Sequence, residues 1–347
     1  MADITKFLDY LKNYDGEEVR IMEVCGSHTA AIAKSGIKGI VSDKIKFLSG
    51  PGCPVCVTPS AYIDRLIELS HEENVAVVTF GDLLRVPGSK STLMLEKGKG
   101  ADVIMVYSPL ETITLAEENP EKTFVFAAVG FETTTPTYAL LLDKIVKNNI
   151  KNIKLLTALK TMPEIIGTLV EGGAKIDGFI APGHVSVITG GYTFKKLSEK
   201  YDMAFAVMGF GMEELVLGIY GLVRMINERK TLYANFYPSV VTEEGNVLSK
   251  NIVDKYFEKA DAVWRGMGNV ENSGLSIRDE FAFYDAGSND LTEDIKINKA
   301  CHCDQVLMGK IQACDCPLFA KVCNPQTPQG ACMVSSEGSC YQNYINR

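Results

Sequence analysis

Several features that would assign the chain to a membrane or to nucleic acid are missing from its sequence. The longest apolar stretches, such as FVFAAVGF and ADVIMVY, have the length of strands and are too short to cross a bilayer. The first residues, MADITKFLDYLKNYDGEEV, are too polar for a signal peptide, so we expect a cytoplasmic protein. The net charge is −8 and the basic residues form no cluster, which argues against nucleic acid as the main partner. Neither a Walker pattern nor GxGxxG occurs, so no nucleotide site is predicted.

The composition is that of a globular protein larger than one domain. Apolar residues make up 46% and charged residues 22% of the 347 residues, as in soluble proteins. A chain of this length exceeds one ordinary hydrophobic core, so two or three domains are expected.

The ten cysteines are unevenly placed along the chain. No thiol occurs between residues 57 and 300, and seven of the ten lie from residue 301 onwards. In a reducing compartment, so many thiols point to metal or redox chemistry rather than to structural disulfides. The N-terminal thiols are Cys25, Cys53 and Cys56, and the tail carries Cys301, Cys303, Cys314, Cys316, Cys323, Cys332 and Cys340.

Short β-branched runs alternate with amphipathic helical stretches from residue 19 to about residue 230. This alternation is typical of parallel sheets covered by helices, and it predicts an α/β fold. The predicted strands are Val19–Val24, Ile45–Ser49, Val75–Phe80, Val103–Tyr107, Phe124–Val129, Leu155–Ala158, Phe179–Ala181 and Ala204–Met208. Helices are predicted between them, for example Pro59–Ser70, Pro136–Asn148 and Met162–Glu171.

Four segments are expected along the chain. Residues 1–115 and 116–230 are predicted to form two similar parallel-sheet α/β domains, because strand–turn–helix units recur in both. Residues 231–290 are rich in Gly, Asn and turn signals, and we expect them to pack back on these domains as strands and loops. Residues 291–347 are predicted to form a small Cys-rich domain, which is too short for a large core and needs a metal cluster to stabilise it.

The tail sequence, CHCDQVLMGKIQACDCPLFAKVCNPQTPQGACMVSSEGSC, offers thiolate ligands, which iron–sulfur clusters and zinc both select. A zinc site would use the pairs Cys301/Cys303 and Cys314/Cys316. One intervening residue is a short separation for two ligands of one tetrahedral zinc ion. The irregular spacing therefore favours an iron–sulfur cluster, with zinc as the alternative on spacing alone.

The CGSHT sequence at 25–29 lies where a predicted strand ends and a helix begins. Ligands commonly bind at this carboxyl edge of a parallel sheet. The N–H groups and dipole of the helix start are expected to lower the pKa of the Cys25 thiol, and His28 is a candidate functional partner. The structural alternatives are a buried Cys25, a core His28, and Ser27 or Thr29 as the helix cap.

A CxxC motif, formed by Cys53 and Cys56, lies in the turn GPGCPVCVTP after another predicted strand. This spacing allows a reversible disulfide, and a turn keeps both sulfurs accessible. A zinc half-site and two unpaired thiols are the alternatives, but no second CxxC is present to complete a zinc site. We therefore interpret the motif as redox-active or metal-binding.

Two further turns, GFETTTPT (130–137) and APGHVS (181–186), also follow predicted strands. The carboxylate of Glu132 and the imidazole of His184 are candidate hydrogen-bonding or acid–base groups. The threonines at 133–135 fit a simple capping and turn role equally well.

Five stretches, spread over essentially the whole chain in the expected order, resemble the signature set of the HypD family of hydrogenase maturation factors. They are EVCGSHT (23–29), SGPGCPVC (49–56), GFETTTPT, APGHVS and ACMVSSEGSC (331–340). The resemblance implies a [4Fe-4S] cluster on four tail cysteines separated by 14, 6 and 16 residues, which here are Cys301, Cys316, Cys323 and Cys340. It also implies that Cys303 and Cys332 can pair as a disulfide. Cys314 falls outside the family pattern, which leaves open whether it replaces Cys316 as a ligand.

Proteins of the HypD family work with the small chaperone HypC and carry the iron that becomes the Fe(CN)2CO unit of [NiFe]-hydrogenase. The resemblance therefore implies iron with CN and CO ligands as cargo, a HypC-like partner, a HypE-like cyanide donor and, indirectly, the hydrogenase large subunit. Cys25 is the expected iron ligand, and His28 and Thr29 are expected near the cyanide. Cys53 and Cys56 are expected either to contact iron or to exchange electrons with the cluster. The alternative is a cluster-dependent thiol–disulfide oxidoreductase resembling ferredoxin:thioredoxin reductase, and electron exchange requires the tail to fold back towards the CxxC motif.

Overall fold

The computed structural model describes residues 4–289, 291–295 and 298–347. All the strands predicted from the alternating pattern are present, with ends within two residues of the predicted ones. The strands are β1 (Val19–Glu23), β2 (Ile45–Ser49), β3 (Val75–Thr79), β4 (Val103–Met105), β5 (Thr123–Gly130), β6 (Ile153–Lys160), β7 (Gly178–Ala181), β8 (Ala204–Val207), β9 (Tyr233–Asn235), β10 (Phe257–Trp264) and β11 (Gly268–Ile277).

Prolines and glycines mark the ends of several helices. Pro136 and Pro163 lie in the first turns of the helices Thr135–Lys147 and Met162–Glu171, where a missing backbone N–H removes no helical hydrogen bond. Gly36 ends the helix Gly26–Ser35 in the left-handed conformation, with a φ of 67° that a side chain would disfavour. The helices are α1 (Ile4–Lys12), α2 (Gly26–Ser35), α3 (Ser60–Ser70), α4 (Leu93–Gly98), α5 (Glu111–Glu118), α6 (Thr135–Lys147), α7 (Met162–Glu171), α8 (Gly183–Thr189), α9 (Gly191–Tyr201), α10 (Met212–Glu228), α11 (Val247–Tyr256), α12 (Cys303–Leu307) and α13 (Ser339–Ile345).

The first sheet has the strand order β2-β1-β7-β8-β9, and all its neighbouring strands run parallel. The order reverses at β1, which pairs with β2 on one side and with β7 on the other. A crevice forms at such a reversal, outside the carboxyl ends of the strands, and ligands bind there. The CGSHT turn follows β1 and the APGHVS turn follows β7, so both motifs lie at this crevice.

The second sheet has the strand order β10-β11-β6-β5-β3-β4. Strands β4, β3, β5 and β6 run parallel, and the antiparallel hairpin β10–β11 joins the edge of β6 at Leu159 and Lys160. The GFETTTPT turn follows β5 at the carboxyl edge of this sheet. Two sheets dominated by parallel strands, both covered by helices, confirm the predicted α/β fold.

Each sheet is assembled from separate parts of the sequence. The segment 1–115 supplies β1 and β2 to the first sheet but β3 and β4 to the second. The segment 116–230 supplies β5 and β6 to the second sheet but β7 and β8 to the first. The boundary placed at residue 115 therefore does not separate the two sheets, because a strand–turn–helix pattern does not specify which strand lies beside which. From 231–290, β9 extends the first sheet and β10–β11 the second.

The tail packs into the core that the two sheets share. One cluster of buried residues contains Met22 and Val24 from the first sheet, Val125 from the second, and Cys332 and Met333 from the tail. The tail therefore gains its apolar contacts from the sheets, as its length requires. Among the described residues, no helix combines the length and apolar character needed to cross a membrane.

Candidate functional site

Cys25 lies at the N-cap of α2, directly after β1. Its backbone is extended, with φ −148° and ψ 119°, and its carbonyl accepts the first helical hydrogen bond from the N–H of Thr29 at 2.9 Å. The side chain is only 7% exposed. The sequence predicted this position of Cys25 correctly, because β1 ends at Glu23 and α2 begins at Gly26.

The predicted lowering of the Cys25 pKa is wrong for the free thiol. The pKa is raised to about 12, mainly by burial and to a smaller extent by the nearby Glu337 and Glu23. Hydrogen bonds from the backbone N–H groups of His28 and Ser27 lower the pKa, as predicted. Desolvation of the thiolate raises it by more. Cys25 is therefore a protonated thiol at neutral pH until a cation binds it.

His28 is a fully buried, neutral imidazole. Its Nε2 lies 3.1 Å from the carbonyl oxygen of Met208 and 3.2 Å from that of Gly209, so Nε2 carries the proton. Burial lowers its pKa to about 4. Its Nδ1 is buried and has no hydrogen-bond partner among the described residues.

The ring of Phe210 stacks on the imidazoles of both His28 and His184, the two histidines predicted from the sequence. Its centroid lies 4.5 Å from the ring of His28 and 4.3 Å from the ring of His184, and both pairs are stacked. His184 lines the same cavity as Cys25. Phe210 lies in a loop after β8 and had no sequence signal that marked it as part of the site.

A cavity of about 140 Å³ lies where the four motif-bearing turns meet. The CGSHT, GPGCPVC, GFETTTPT and APGHVS turns each contribute to its wall, and the tail closes it with Glu337. Glu337 accepts a hydrogen bond from the hydroxyl of Ser27 at 3.0 Å. The lining residues are Val24, Cys25, Gly26, Ser27, Gly52, Pro54, Phe131, Thr133, Thr134, Pro182, His184, Val185 and Glu337.

Thr29 supports the turn from behind and does not line this cavity. Its hydroxyl donates to Oε2 of Glu23 at 2.7 Å, and it also lies 3.2 Å from the carbonyl oxygen of Cys25. Glu23 is 1% exposed, and burial raises its pKa to about 8. The sequence reasoning missed Glu23 as a buried polar residue, although it begins the EVCGSHT stretch.

Glu132 is a structural residue in this geometry. Its Oε1 accepts the backbone N–H of Met162 at 2.8 Å, which satisfies a donor in the first turn of α7. Its Oε2 is buried without a partner among the described residues, and burial raises the pKa to about 7. It does not line the Cys25 cavity, whereas the neighbouring Phe131 and Thr133 do.

Cys53 and Cys56 form a disulfide, with their Cα atoms 5.3 Å apart. Both residues are buried. The loop that carries them packs on the Cys25 turn, because the N–H of Gly26 donates to the carbonyl oxygen of Gly52 at 2.9 Å. A side chain on Gly52 would collide with the backbone of Cys25, so only glycine permits this approach.

The disulfide also touches the tail. The Sγ of Cys56 lies 3.9 Å from the carbonyl oxygen of Ala331, the residue before Cys332. The prediction that the tail folds back towards the CxxC motif is confirmed by this contact and by the Ser27–Glu337 hydrogen bond.

Six of the seven tail cysteines line one small cavity. They are Cys301, Cys303, Cys316, Cys323, Cys332 and Cys340. Cys314 is exposed, and its thiol contacts the neighbouring Asp315 instead. Among the described residues, no three His, Cys, Asp or Glu side chains are grouped as a single metal ion would require.

Cys303 and Cys332 are free thiols in this structure. The side chain of Cys303 hydrogen-bonds with those of Cys301 and Cys332, and these contacts lower its pKa. Hydrogen bonding to Cys303 raises the pKa of Cys332. The two thiols are therefore neighbours, and their disulfide stays a prediction.

The donor set of the tail fits an iron–sulfur cluster. It consists of soft thiols without carboxylates or imidazoles in the same cavity. A [4Fe-4S] cluster takes one thiolate at each iron, so its ligands need not converge on a single point as those of a zinc ion must.

Two α/β sheets of mainly parallel strands, packed around a buried thiol, a disulfide and a tail cavity lined by six cysteines, define a class of cysteine-rich α/β protein. Within that class, the chain belongs to the HypD family, described as the hydrogenase formation hypA family, which it matches over residues 2–347.

The chain is similar to curated proteins over nearly its whole length. It is 39% identical to a hydrogenase expression/formation protein of Methanocaldococcus jannaschii, over 93% of this chain and 91% of that protein. It is 38% identical to the hydrogenase maturation factor HypD of Rhodobacter capsulatus, over 98% of this chain and 92% of the relative. It is also 38% identical to the HypD of Escherichia coli, over 95% of this chain and 89% of the relative.

Proposed function

We propose that the chain is a hydrogenase maturation factor that acts as an assembly scaffold, holding iron while the Fe(CN)2CO unit of [NiFe]-hydrogenase is built. The observation that carries this proposal is the cavity at Cys25, where four motifs and the tail meet. The membership of the HypD family supports the same reading. The cargo is the iron with its CN and CO ligands, and Cys25 is its ligand on this chain.

The surroundings of Cys25 suit a soft, low-spin iron. The thiol is buried and protonated when free, so binding the metal must release its proton. Ser27 and His184 line the cavity and can offer hydrogen bonds to the nitrogen of a cyanide ligand. His28 contributes through Phe210, on which both imidazoles stack. Thr29 does not line the cavity. Its hydroxyl donates to the carbonyl oxygen of Cys25 and so positions that residue.

We assign the [4Fe-4S] cluster to Cys301, Cys316, Cys323 and Cys340, all of which line the tail cavity. The exposure of Cys314 favours Cys316 over Cys314 as a ligand. When bound, the cluster supplies single electrons. The protein's own contribution is the thiol set and the packing of the tail against the sheets.

The Cys53–Cys56 disulfide is the candidate electron acceptor. Its reduction takes two electrons and two protons and yields two thiols. The contact between Cys56 and Ala331 brings the disulfide next to the backbone of the cluster-bearing tail.

The same contact favours a second candidate function, a cluster-dependent thiol–disulfide oxidoreductase resembling ferredoxin:thioredoxin reductase. That function predicts turnover of a disulfide substrate without any partner protein.

The scaffold function requires partners. A HypC-like chaperone would complete the sulfur ligation of the iron, a HypE-like protein would donate cyanide, and the hydrogenase large subunit would receive the finished unit indirectly. These partners follow from the family resemblance and from the proposed cargo.

Expression of the chain in a strain that lacks its own HypD gene tests the function. We expect the chain to restore hydrogenase activity together with the matching HypC-like partner, and the anaerobically purified protein to be brown and to give an EPR signal on reduction. A colourless, EPR-silent, zinc-containing protein would contradict the cluster. Disulfide turnover without the partner, and no restored hydrogenase activity, would favour the oxidoreductase.

A further inference from the structure

The turn of the β10–β11 hairpin touches both the loop of the Cys53–Cys56 disulfide and the cysteine-rich tail. Arg265 is the first residue of this turn and directly follows Trp264, where β10 ends. Its backbone N–H donates to the carbonyl oxygen of Val57 at 2.8 Å, and Val57 is the residue after Cys56. The turn therefore packs on the disulfide loop on one side.

The other side of the turn packs on the tail at Cys303. A Cβ on Gly266 would lie 2.4 Å from the Cβ of Asp304, the residue after Cys303, so the turn and the tail are in direct contact. Arg265 borders the same narrow gap as Cys301 and Cys303. A basic side chain from outside the tail therefore lies beside its cysteines.

Two contacts fix the guanidinium of Arg265. Its Nη2 donates to the carbonyl oxygen of Pro87 at 3.0 Å, and its Nε lies 3.3 Å from Oδ1 of Asp294. Asp294 is held in turn, because its Oδ2 accepts the backbone N–H of Gly266 at 2.7 Å. The two side chains of this ion pair are 15% and 16% exposed, so water and salt screen their charges less than those of surface residues.

Arg265 acts electrostatically on the cysteines of the tail cavity. Burial lowers the pKa of its guanidinium, and the neighbouring Asp294 opposes this effect. Cys303 and Cys332 oppose it as well, so both sulfurs lie within electrostatic reach of the guanidinium. Arginine keeps its charge in proteins even where burial lowers its pKa. Both cysteines line the cavity to which the cluster is assigned.

A [4Fe-4S] cluster gains one negative charge when it takes up one electron, and no bond forms or breaks in that step. The reduction potential of such a cluster depends on the charges around it. We propose that Arg265 raises the reduction potential of the cluster by stabilising the added charge, and that Asp294 limits this effect as its counter-ion. The inference rests on the cluster proposed above, and it adds two residues outside the cysteine set to the groups that control the electron transfer.

A redox titration followed by EPR tests this role on the anaerobically purified full-length protein, with dithionite as the one-electron donor. Arg265→Gln removes the cation and leaves Asp294 in place. The equilibrium constant for cluster reduction should therefore fall about tenfold, the order of magnitude for one poorly screened charge. For one electron, a tenfold change corresponds to about 59 mV. Arg265→Lys keeps the charge and should restore most of the potential.

Asp294→Asn should change the potential in the opposite direction. It leaves the guanidinium without its counter-ion, so the potential should rise. A loss of tail packing alone would shift the potential of Arg265→Gln and Asp294→Asn in the same direction. Opposite shifts therefore identify the charge, and not the packing, as the cause.

Arg85→Gln is the matched control. Arg85 also contacts the tail, since its Nη2 donates to the carbonyl oxygen of Pro325 at 3.0 Å. Its side chain is exposed, so its charge is screened by water and salt. This variant should keep the potential of the unmodified protein.

The outcomes separate this role from the cluster itself. An unmodified protein without iron, sulfide and an EPR signal would contradict the cluster, and the role of Arg265 with it. A normal cluster whose potential is unchanged in Arg265→Gln and Asp294→Asn, or shifts in the same direction in both, would contradict the role of Arg265 alone. If Arg265→Gln does not fold, Asp294→Asn decides, and a potential that fails to rise in that variant overturns the proposal.

Discussion

Ser27 and Glu337 are joined by a hydrogen bond of 3.0 Å, although 310 positions separate them in the sequence. The contact ties the turn that carries Cys25 to the tail that carries the proposed cluster ligands. Gly26 adds to it, because a Cβ at this position would lie 2.5 Å from the Cβ of Glu337. The tail can therefore close over the Cys25 cavity only if this turn keeps its small residues.

This contact predicts how the tail responds to substitution of the turn. Ser27→Ala should lower the free energy of unfolding by about 1.5–3 kcal/mol, the usual contribution of a hydrogen bond to a charged group. Gly26→Ala should cost more, because the new methyl group collides with Glu337. Denaturant unfolding measures both. Ser336→Ala, at an exposed position of the same tail, is the control, and an equal effect of Ser27→Ala and Ser336→Ala would show that the contact does not hold the tail.

The tail cavity predicts which thiols bind the cluster. Cys316→Ser and Cys323→Ser should each bleach the visible absorption of the anaerobic protein and destabilise the tail, because cluster binding supports its fold. Cys314→Ser should keep the absorption and change stability by no more than about 0.5 kcal/mol, as expected at an exposed position. A bleached Cys314→Ser variant with an intact Cys316→Ser variant would reverse the ligand assignment.

The disulfide predicts a change in thiol count on reduction. Alkylation and mass spectrometry of the protein as purified should find Cys53 and Cys56 blocked, and reduction of the cluster should release both as thiols. Cys53→Ser should remove this release but leave the EPR signal of the cluster intact, since Cys53 does not line the tail cavity. Free Cys53 and Cys56 before any reduction, with the cluster oxidised, would argue against the electron relay.

Glu132 predicts a pH dependence of stability. Its pKa is raised from 4.5 to about 7 in the folded protein because its carboxyl group is buried. The folded state thus holds the proton more tightly than the unfolded chain. The stability from this group is fully present below about pH 4.5 and is lost as the pH rises through 7.

The size of this loss is on the order of 1–3 kcal/mol. Glu132→Gln should remove that part of the pH dependence, while its side-chain oxygen still accepts the N–H of Met162. Denaturant unfolding at pH 4.5 and pH 8 measures the difference. An unchanged slope of stability with pH in Glu132→Gln would show that another group titrates.

The sequence predicted the strands but not their neighbours. A run such as VAVVT at 75–79 is apolar and β-branched, so it is a strand in almost any context. The placement of β1 between β2 and β7 depends on contacts distant in sequence, which a local pattern does not contain. The division of each sheet between separate parts of the chain was therefore not predictable from the pattern alone.

The position of Cys25 was predictable and its pKa was not. A cysteine between a strand and a helix start lies at the carboxyl edge of a sheet. The depth of its burial depends on Glu337 and on the CxxC loop, which arrive from far along the chain. Phe210 was missed for a similar reason, because a lone phenylalanine in a loop is most often part of the core.

The infrared spectrum of the anaerobically purified complex with a HypC-like partner tests the central claim most directly. If Cys25 holds the iron cargo, the unmodified complex should show CN and CO stretching bands, and Cys25→Ala should lose them while keeping the EPR signal of the cluster. Cys314→Ala, a thiol outside both cavities, should keep bands and signal alike. CN and CO bands at full strength in the Cys25→Ala complex would contradict the account.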